Sequence, residues 1–506
     1  MRIHFVGVAG SGMGALAGLL HALGHDVSGS DVRFDPPVGP ELERWGVRCL
    51  TGFDPAHLAT RPDLVVVGNV CRRDNVEARA AIDGGMNVTT MPHALVDHVI
   101  APAGCSPLVV AGTHGKTTTS AMVTWLLEAA GKRPGFFIGG LPKNFAASFR
   151  EPPPPVTAPL RLQVTPDQDE ARAAFVHAER RFAKVPFVVE GDEYDTAFFE
   201  KTPKFWHYRA EVAIVTSIEH DHIDIYPTEA TYLEAFHEFL RRMPKTGLVV
   251  AAANERHVVE TARQSAACRV SYYALEGDDT FGVQPEWLGA PGAVVDGMQE
   301  FDLYIGGVAC GRMRTASTGV HNVRNAVAAI AAAAEGYGCP VRELVRAIST
   351  FEGVRRRQDL VGEVRGVRVY DDFAHHPTAV NETLRALRAK HPSGKLFAVF
   401  EPRSATACRA IHQTAYGHAF RAANRVIIAP LGRTNIPEAE RLDVERLVAA
   451  IAASGTRATA PPDVDAIVES LVGEVESGDT VALLSNGAFG GIHQKLLDAL
   501  KRGRIS

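Results

Sequence analysis

Residues 109–119 read VVAGTHGKTTT, and they constrain the fold more than any other stretch of the chain. An apolar run, Leu108, Val109 and Val110, stops at Gly112 and Gly115; Lys116 and three threonines follow, and a helix-forming segment runs from Ser120 to Ala130. Strand, glycine turn and helix, in that order, cradle phosphate. Glycine lets backbone N–H groups approach the oxygens, the helix N-terminus favours an anion, the lysine reaches the outer phosphates, and the hydroxyl of Thr117 suits Mg²⁺. The stretch therefore predicts an ATP site. It departs from the usual phosphate-loop spacing, which puts a glycine where this chain has Val110.

At 506 residues the chain has room for about three domains. A net charge of -5, with 22% charged residues, offers no basic surface for nucleic acid or an anionic membrane. The longest strictly apolar run, Ala326 to Ala334, falls far short of the roughly 20 residues a bilayer requires, so no membrane insertion is expected. The first residues pass directly into a strand and a glycine turn, without the apolar core of a signal peptide. Seven cysteines without a Cys-x-x-Cys pair suit free thiols in a reducing cytoplasm rather than disulfides or a zinc site.

In chain order, residues 1–103 open with a strand, RIHFVGV, that runs into Gly7, Gly10, Gly12 and Gly14 and then a helix-forming segment. The next strand, VSGSD, ends at Asp31, where an acid can meet a ribose or base, as in dinucleotide folds. A strand at 63–70 and a helix at 93–100 complete this domain, and 101–107 reads as a linker. A second domain, 104–350, contains the phosphate turn. It is interrupted at about 146–184 by a segment with four consecutive prolines, Pro152 to Pro155, expected to be a surface insertion without a catalytic role. The strand of PFVVEGDEYD then ends in Glu190 beside Asp192, Glu193 and Asp195, oxygen donors suited to Mg²⁺. A strand is expected across 211–226; His220 and His222 would share one face of it and, with Glu219, Asp221 and Asp224, offer another metal arm or a polar surface. Asn322 and Asn325 stand near the start of an alanine-rich helix, placed for capping or for adenine recognition. A third domain, 351–506, starts near FEGVRRRQ. Its three arginines read as surface charge or as a means of neutralising a transferring phosphate, and the remainder alternates strand and helix. The expected fold is α/β in three domains: a Rossmann-like first, a P-loop ATPase-like second and a Rossmann-like third.

Taken together and in order, the glycine-rich first domain, GTHGKTTT, VVEGDEYD, IEHDHID, GVHNVRNA, GVRRR and DDFAHHPT resemble the Mur ligase family across nearly the whole chain. The resemblance implies an ATP-dependent, amide-forming ligase of peptidoglycan synthesis and recycling, with ATP and Mg²⁺ as cofactors. EYDTAFFEKTPKFWHY at 193–208, EPRS at 401–404 and SNGAFGGIHQK at 485–495 look like the recycling branch, which joins a murein tripeptide to UDP-N-acetylmuramate. The branch that adds L-alanine is the alternative within the family; it usually carries DESDASF, and a DDYGHHP form where this chain has DDFAHHP. A non-catalytic UDP-sugar-binding regulator, which would need the glycine turns but not the metal cluster, is the rival from another class.

Residue by residue, the resemblance implies that Gly112, Thr113, His114, Gly115, Lys116, Thr117 and Thr118 hold the ATP phosphates. Thr117 and Glu190 would bind one Mg²⁺ and His222 a second; Asn325 would contact adenine, Arg356 or Arg357 the γ-phosphate, and Asp371 or Asp372 the nucleoside side. Lys116, Glu190, His222 and Arg357 form the implied catalytic set. Gly10, Ser11, Gly12, Met13 and Asp31 would face the UDP-sugar, and His376, Arg403 and Asn486 the incoming peptide. One departure is His237, which stands where several family members carry a carbamylated lysine.

Overall fold

Strands covered on both faces read as unbroken apolar runs rather than alternating ones, and three sheets of this kind organise the chain. Leu64–Val67, Val212–Val215, Leu248–Ala252 and Leu396–Phe400 are buried at every position. The computed structural model describes residues 1–35, 38–154, 181, 183–433 and 435–503.

The first sheet has five parallel strands in the order Arg48–Thr51, Asp26–Asp31, Arg2–Val6, Leu64–Val67, Val88–Thr90. Its helix Ser11–Ala22 starts directly after the glycine turn. Gly18 lies on that helix where a Cβ would stand 2.6 Å from Trp45 and 2.7 Å from Phe149, so the absence of a side chain lets the first domain close on the edge of the second. Trp45 and Phe149 meet edge-on there, 4.9 Å between ring centres.

The central sheet is parallel around Ser106–Ala111, which lies between Val212–Val215 and Pro186–Gly191. Beyond Leu248–Ala252 and Arg269–Leu275 it continues into an antiparallel meander, Trp287–Val295, Met298–Ile305 and Val308–Thr315. The alanine-rich helix Val320–Tyr337 packs against Lys116–Ala129, its small side chains allowing close approach behind the phosphate turn. The third sheet runs Asp359–Val364, Val367–Asp372, Thr480–Leu484, Leu396–Phe400, Arg425–Ile428, Arg457–Thr459, and only its first pair is antiparallel.

Two expectations change. The strand foreseen across 211–226 is confined to Val212–Val215, because the chain leaves the sheet to wrap the phosphate turn. The segment taken as a surface insertion lies mostly outside the described residues, at 155–180 and 182. Its described ends are integrated: Phe149–Arg150 pairs with Gly135–Phe137, and the buried Arg181 donates to the carbonyls of Gly336, Thr246 and Glu335. Among the described residues no helix is long and apolar enough to cross a membrane.

A buried polar cluster braces the first sheet. Glu77, fully buried, accepts from His4 Nε2 at 2.6 Å and from the Asp54 backbone N–H at 3.1 Å, and His4 Nδ1 lies 2.8 Å from Ser28 Oγ. Burial raises the Glu77 pKa, but His4, hydrogen-bonded to it, and His57 outweigh burial and hold it below its usual value. A depressed carboxylate stabilises the fold above its unfolded pKa and loses that contribution as pH falls through the folded value. Glu77→Ala should therefore cost about 3 kcal/mol at neutral pH, seen in urea unfolding, because it leaves His4 and an amide N–H without their partner. The gap between variant and wild type should narrow as pH falls below the carboxylate range; a gap that does not depend on pH would contradict this account.

Candidate active site at the domain junction

The phosphate turn is shaped by two glycines. Gly112 has φ +137°, and a Cβ there would lie 2.1 Å from Thr216 Oγ1; Gly115 has φ +79°, and its Cβ would lie 2.7 Å from Asn325 Oδ1. No side chain caps the helix Lys116–Ala129 that starts at Gly115, so its first N–H groups remain available to an anion. The turn is held from outside: Ser217 Oγ accepts from the His114 N–H at 3.0 Å, and Thr216 Oγ1 donates to the His114 carbonyl at 2.6 Å. Thr113 Oγ1 donates to the Glu219 carbonyl and accepts the Glu219 N–H, both at 2.9 Å.

Behind the turn, Lys116 Nζ donates to the Gly112 carbonyl at 2.6 Å and pairs with Glu193 at 2.9 Å. The lysine's hydrogen bond to Glu193 is made at Oε1, 3.2 Å away, and the same oxygen lies 3.1 Å from His222 Nε2. Burial would push Glu193 up, yet Lys116 and His222 hold it down at about 2. Burial would likewise lower both Lys116 and His222, and the acids around them raise each instead. His222 adopts φ +53°, uncommon for a residue with a side chain; Asp221 Oδ1 accepts its N–H at 2.7 Å, and its carbonyl accepts from Ile225 and Tyr226, each at 2.8 Å. His220 does not share a face with it, since the chain is not extended here and His220 Nε2 lies 2.9 Å from the Tyr226 carbonyl.

Two clefts meet at a single hydrogen bond. The larger, about 580 Å³, is lined by His114, Gly115, Thr117, Thr118, Asn325, Arg357 and Asp372, among others. The smaller, about 290 Å³, is lined by Gly10, Ser11, Gly12 and Met13 of the first domain together with Glu190, Thr196 and Lys204 of the second. Thr117, on the wall of the first, donates from Oγ1 to Glu190 Oε1, on the wall of the second, at 2.6 Å. The other oxygen of Glu190 accepts the Gly139 N–H at 2.7 Å, and burial together with Asp192 raises the Glu190 pKa. From the third domain, Arg357 Nη2 donates to Thr117 Oγ1 at 3.2 Å. A hydroxyl, the carboxylates of Glu190 and Glu193, and the imidazole of His222 make a donor set that suits a hard divalent cation.

Several residues are placed differently from their expected roles. Asp31 does not line the smaller cleft; it braces the glycine turn, accepting the Ala9 N–H at 2.9 Å. Arg356 does not reach the phosphate turn, because it donates to the carbonyls of Ser485 and Gly487, each at 2.7 Å, and to Asp371 at 3.2 Å. Asp371 is accordingly tied to Arg356 and to His493, at 3.1 Å, whereas Asp372 lines the large cleft. Neither Asn322 nor Asn325 caps its helix; Asn322 donates to the Thr318 carbonyl and Asn325 to Asn322. His237, on the helix Glu229–Arg241, lies with Nδ1 2.8 Å from Ser265 Oγ.

His376 does reach the junction: its ring lies 4.6 Å from that of His114, and its Nδ1 is 3.5 Å from Glu219 Oε2. Burial, then His114, lowers it to about 3, so its imidazole is neutral. Arg403 packs where a Cβ on Gly487 would stand 2.2 Å from its chain, and the neighbouring Asn486 has a buried Oδ1 without a hydrogen-bond partner among the described residues. Glu219 and Lys204 carry more of the geometry than the sequence foretold. Glu219 had signalled itself only as one acid among several, and Lys204 lay inside a motif whose residues had no separate roles.

The two adjacent arginines should separate experimentally. Arg356→Ala removes three charge-assisted contacts and is expected to destabilise the third domain by about 2 kcal/mol in urea unfolding. Arg357→Ala should cost less than half of that while weakening binding of a non-hydrolysable ATP analogue by calorimetry. Equal destabilisation with unchanged nucleotide affinity would contradict the assignment.

Three family models cover the chain in sequence: the Mur ligase family catalytic domain over residues 2–101, the Mur ligase middle domain over 110–333, and the Mur ligase glutamate ligase domain over 356–487. The chain is 35% identical over 503 residues, 99% of each chain, to UDP-N-acetylmuramate–L-alanyl-γ-D-glutamyl-meso-2,6-diaminoheptandioate ligase of Escherichia coli K12. It is 34% identical over 489 residues, 96% of this chain and 93% of the other, to UDP-N-acetylmuramate–L-alanine ligase of Kineococcus radiotolerans. The crystal structure of a murein peptide ligase from Psychrobacter arcticus superposes with a TM-score of 0.70 at 32% identity, covering 100% of both chains. With all three sheets, the shaped phosphate turn and full-length relatives in agreement, the chain belongs to the Mur ligase family.

Proposed function

We propose that the protein joins the tripeptide L-alanyl-γ-D-glutamyl-meso-diaminopimelate to UDP-N-acetylmuramate in a reaction driven by ATP. The observation that carries this reading is the Thr117–Glu190 hydrogen bond, which places a phosphate turn and a first-domain pocket wall to wall. A carboxylate is a poor electrophile. Phosphoryl transfer from ATP to the lactyl carboxylate of UDP-N-acetylmuramate gives an acyl phosphate and ADP; the tripeptide's α-amine then attacks the acyl carbon, and phosphate leaves as the amide forms.

Each residue has a physical task in that sequence. The uncapped N–H groups after Gly115 and the charged Lys116 hold the phosphates, and Arg357 brings a fixed positive charge from the third domain to the oxygens in transfer. Gly10 to Met13, at the N-terminus of Ser11–Ala22, favour the diphosphate of the sugar nucleotide. Mg²⁺, when bound, supplies further charge neutralisation, and Thr117, Glu190 and His222 are the residues that would hold it. Asn325, against the turn, and Asp372 line the nucleotide cleft. His376, Arg403 and Asn486, in the third domain, are assigned to the acceptor peptide. Walls from three domains keep water from the acyl phosphate.

The acceptor is tested by measuring ADP release with ATP, Mg²⁺ and UDP-N-acetylmuramate while the amine is varied. The tripeptide should support turnover with kcat/KM at least about 100-fold above L-alanine, the discrimination expected when a site is built around an extended polar acceptor. A preference for L-alanine would move the protein to the other branch of the family, and no acceptor-dependent ADP release would favour a binding protein. Lys116→Ala should lower kcat by about 10³-fold or more with the fold retained; activity near wild type would remove the ATP assignment.

A further inference from the structure

Beside the smaller cleft but outside its lining, three side chains distant in sequence converge where the first domain meets the second. His93, on the helix Met91–Leu95, places Nε2 3.1 Å from Glu200 Oε1; His207 places its own Nε2 3.6 Å from the same oxygen. All three ligand atoms lie within 4.8 Å of one another, and the two imidazole rings are 4.4 Å apart. Bonds of about 2.0–2.1 Å to a tetrahedral zinc ion set neighbouring donors about 3.3–3.4 Å apart, and the two distances to Glu200 bracket that spacing. Two imidazoles and one carboxylate form a ligand set of the kind zinc takes when it keeps a fourth position for water. His93 is 39% exposed on its side chain, which leaves that position open to solvent.

Thr202 Oγ1, 2.8 Å from His207 Nε2, makes the hydrogen bond that an ion would displace. Arg242, the cation nearest His207 in the electrostatics, is directed elsewhere: it pairs with Glu238 at 2.8 Å and lies over the Trp206 ring.

We propose that His93, Glu200 and His207 bind one transition-metal ion of the zinc class, which clamps the first domain to the second beside the sugar-nucleotide pocket. Two imidazoles with a single carboxylate favour such ions over Mg²⁺, whereas the donors around Thr117, Glu190, Glu193 and His222 are mostly oxygens, so the two sites differ in ligand balance. The consequence for the pocket follows from connectivity. Met91 shares its helix with His93, and Thr196 and Lys204 stand on or beside the hairpin Asp195–Ala197/Glu200–Pro203 that carries Glu200; all three line the smaller cleft. An ion at this point fixes both walls of that cleft relative to each other.

The test uses the full-length protein, stripped with EDTA and dialysed against micromolar ZnCl₂ with millimolar Mg²⁺ present, and counts bound zinc by mass spectrometry. Wild type should hold one equivalent more than either His93→Gln or Glu200→Gln. Zinc should raise the thermal midpoint of wild type and not that of the variants, while the metal-free midpoints of all three stay within about 2 °C. Zinc taken up by His114, Glu219 and His376 would appear in all three proteins alike and cancels in the difference. Equal zinc content in wild type and both variants, or none in wild type, would overturn the proposal. Neither result bears on the ligase reading, which rests on Mg²⁺-dependent turnover.

Discussion

The buried ion pair between Lys116 and Glu193 is the interaction on which the rest of the site depends. Taking both charges out of water is costly, and a pair of this kind contributes little net stability against an apolar replacement. Its value lies in what it positions. Glu193 meets both Lys116 and His222 at Oε1, and its carbonyl accepts from Tyr226 at 2.6 Å, so one residue joins the phosphate turn to the two loops that follow neighbouring strands. The lysine is thereby kept charged and pointed at the turn before any phosphate arrives, and little reorganisation remains for the moment of reaction.

The three domains contribute to that centre in unequal ways. The second supplies a rigid frame, with the turn braced by Thr216 and Ser217 and backed by the buried helix Val320–Tyr337. The first supplies a glycine-rich wall, and the third reaches in with Arg357 while Arg356 is spent on the turn that carries Asn486. Adjacent arginines thus divide positioning and charge delivery between them. The third domain meets the second through polar contacts, such as Thr378 Oγ1 to Glu219 Oε2 at 3.0 Å and Lys143 to Asp359 at 2.6 Å, whereas the first packs on the second through apolar side chains such as Trp45 and Phe149.

The sequence revealed most where a local rule and the fold agree. The phosphate turn, the apolar parallel strands and the alanine-rich helix were legible because glycine, β-branched and small residues have narrow uses. It was weakest where a side chain's direction depends on distant partners. Nothing local distinguishes Arg356 from Arg357; the carbonyls of Ser485 and Gly487, more than a hundred residues on, do. Asp31 stood where dinucleotide folds place a ribose ligand, yet the backbone amide of Ala9 takes its carboxylate. His220 and His222 would share a face only in a strand, and the left-handed turn at His222 ends that relation. The convergence of His93, Glu200 and His207 left no local signature, since it is assembled across long sequence distances, whereas the meander over 287–315 turns at Asp296-Gly297 and Gly306-Gly307, a local hairpin signal that went unread.

The central claim is that a carboxylate from the smaller cleft receives phosphate from the larger one across Thr117 and Glu190. Isotope transfer tests it most directly. UDP-N-acetylmuramate labelled with ¹⁸O in its lactyl carboxylate, turned over with ATP and tripeptide, should deliver one labelled oxygen to each inorganic phosphate released, because the acyl phosphate breaks at the acyl carbon. Phosphate free of label, formed at the same rate as the amide product, would contradict the account.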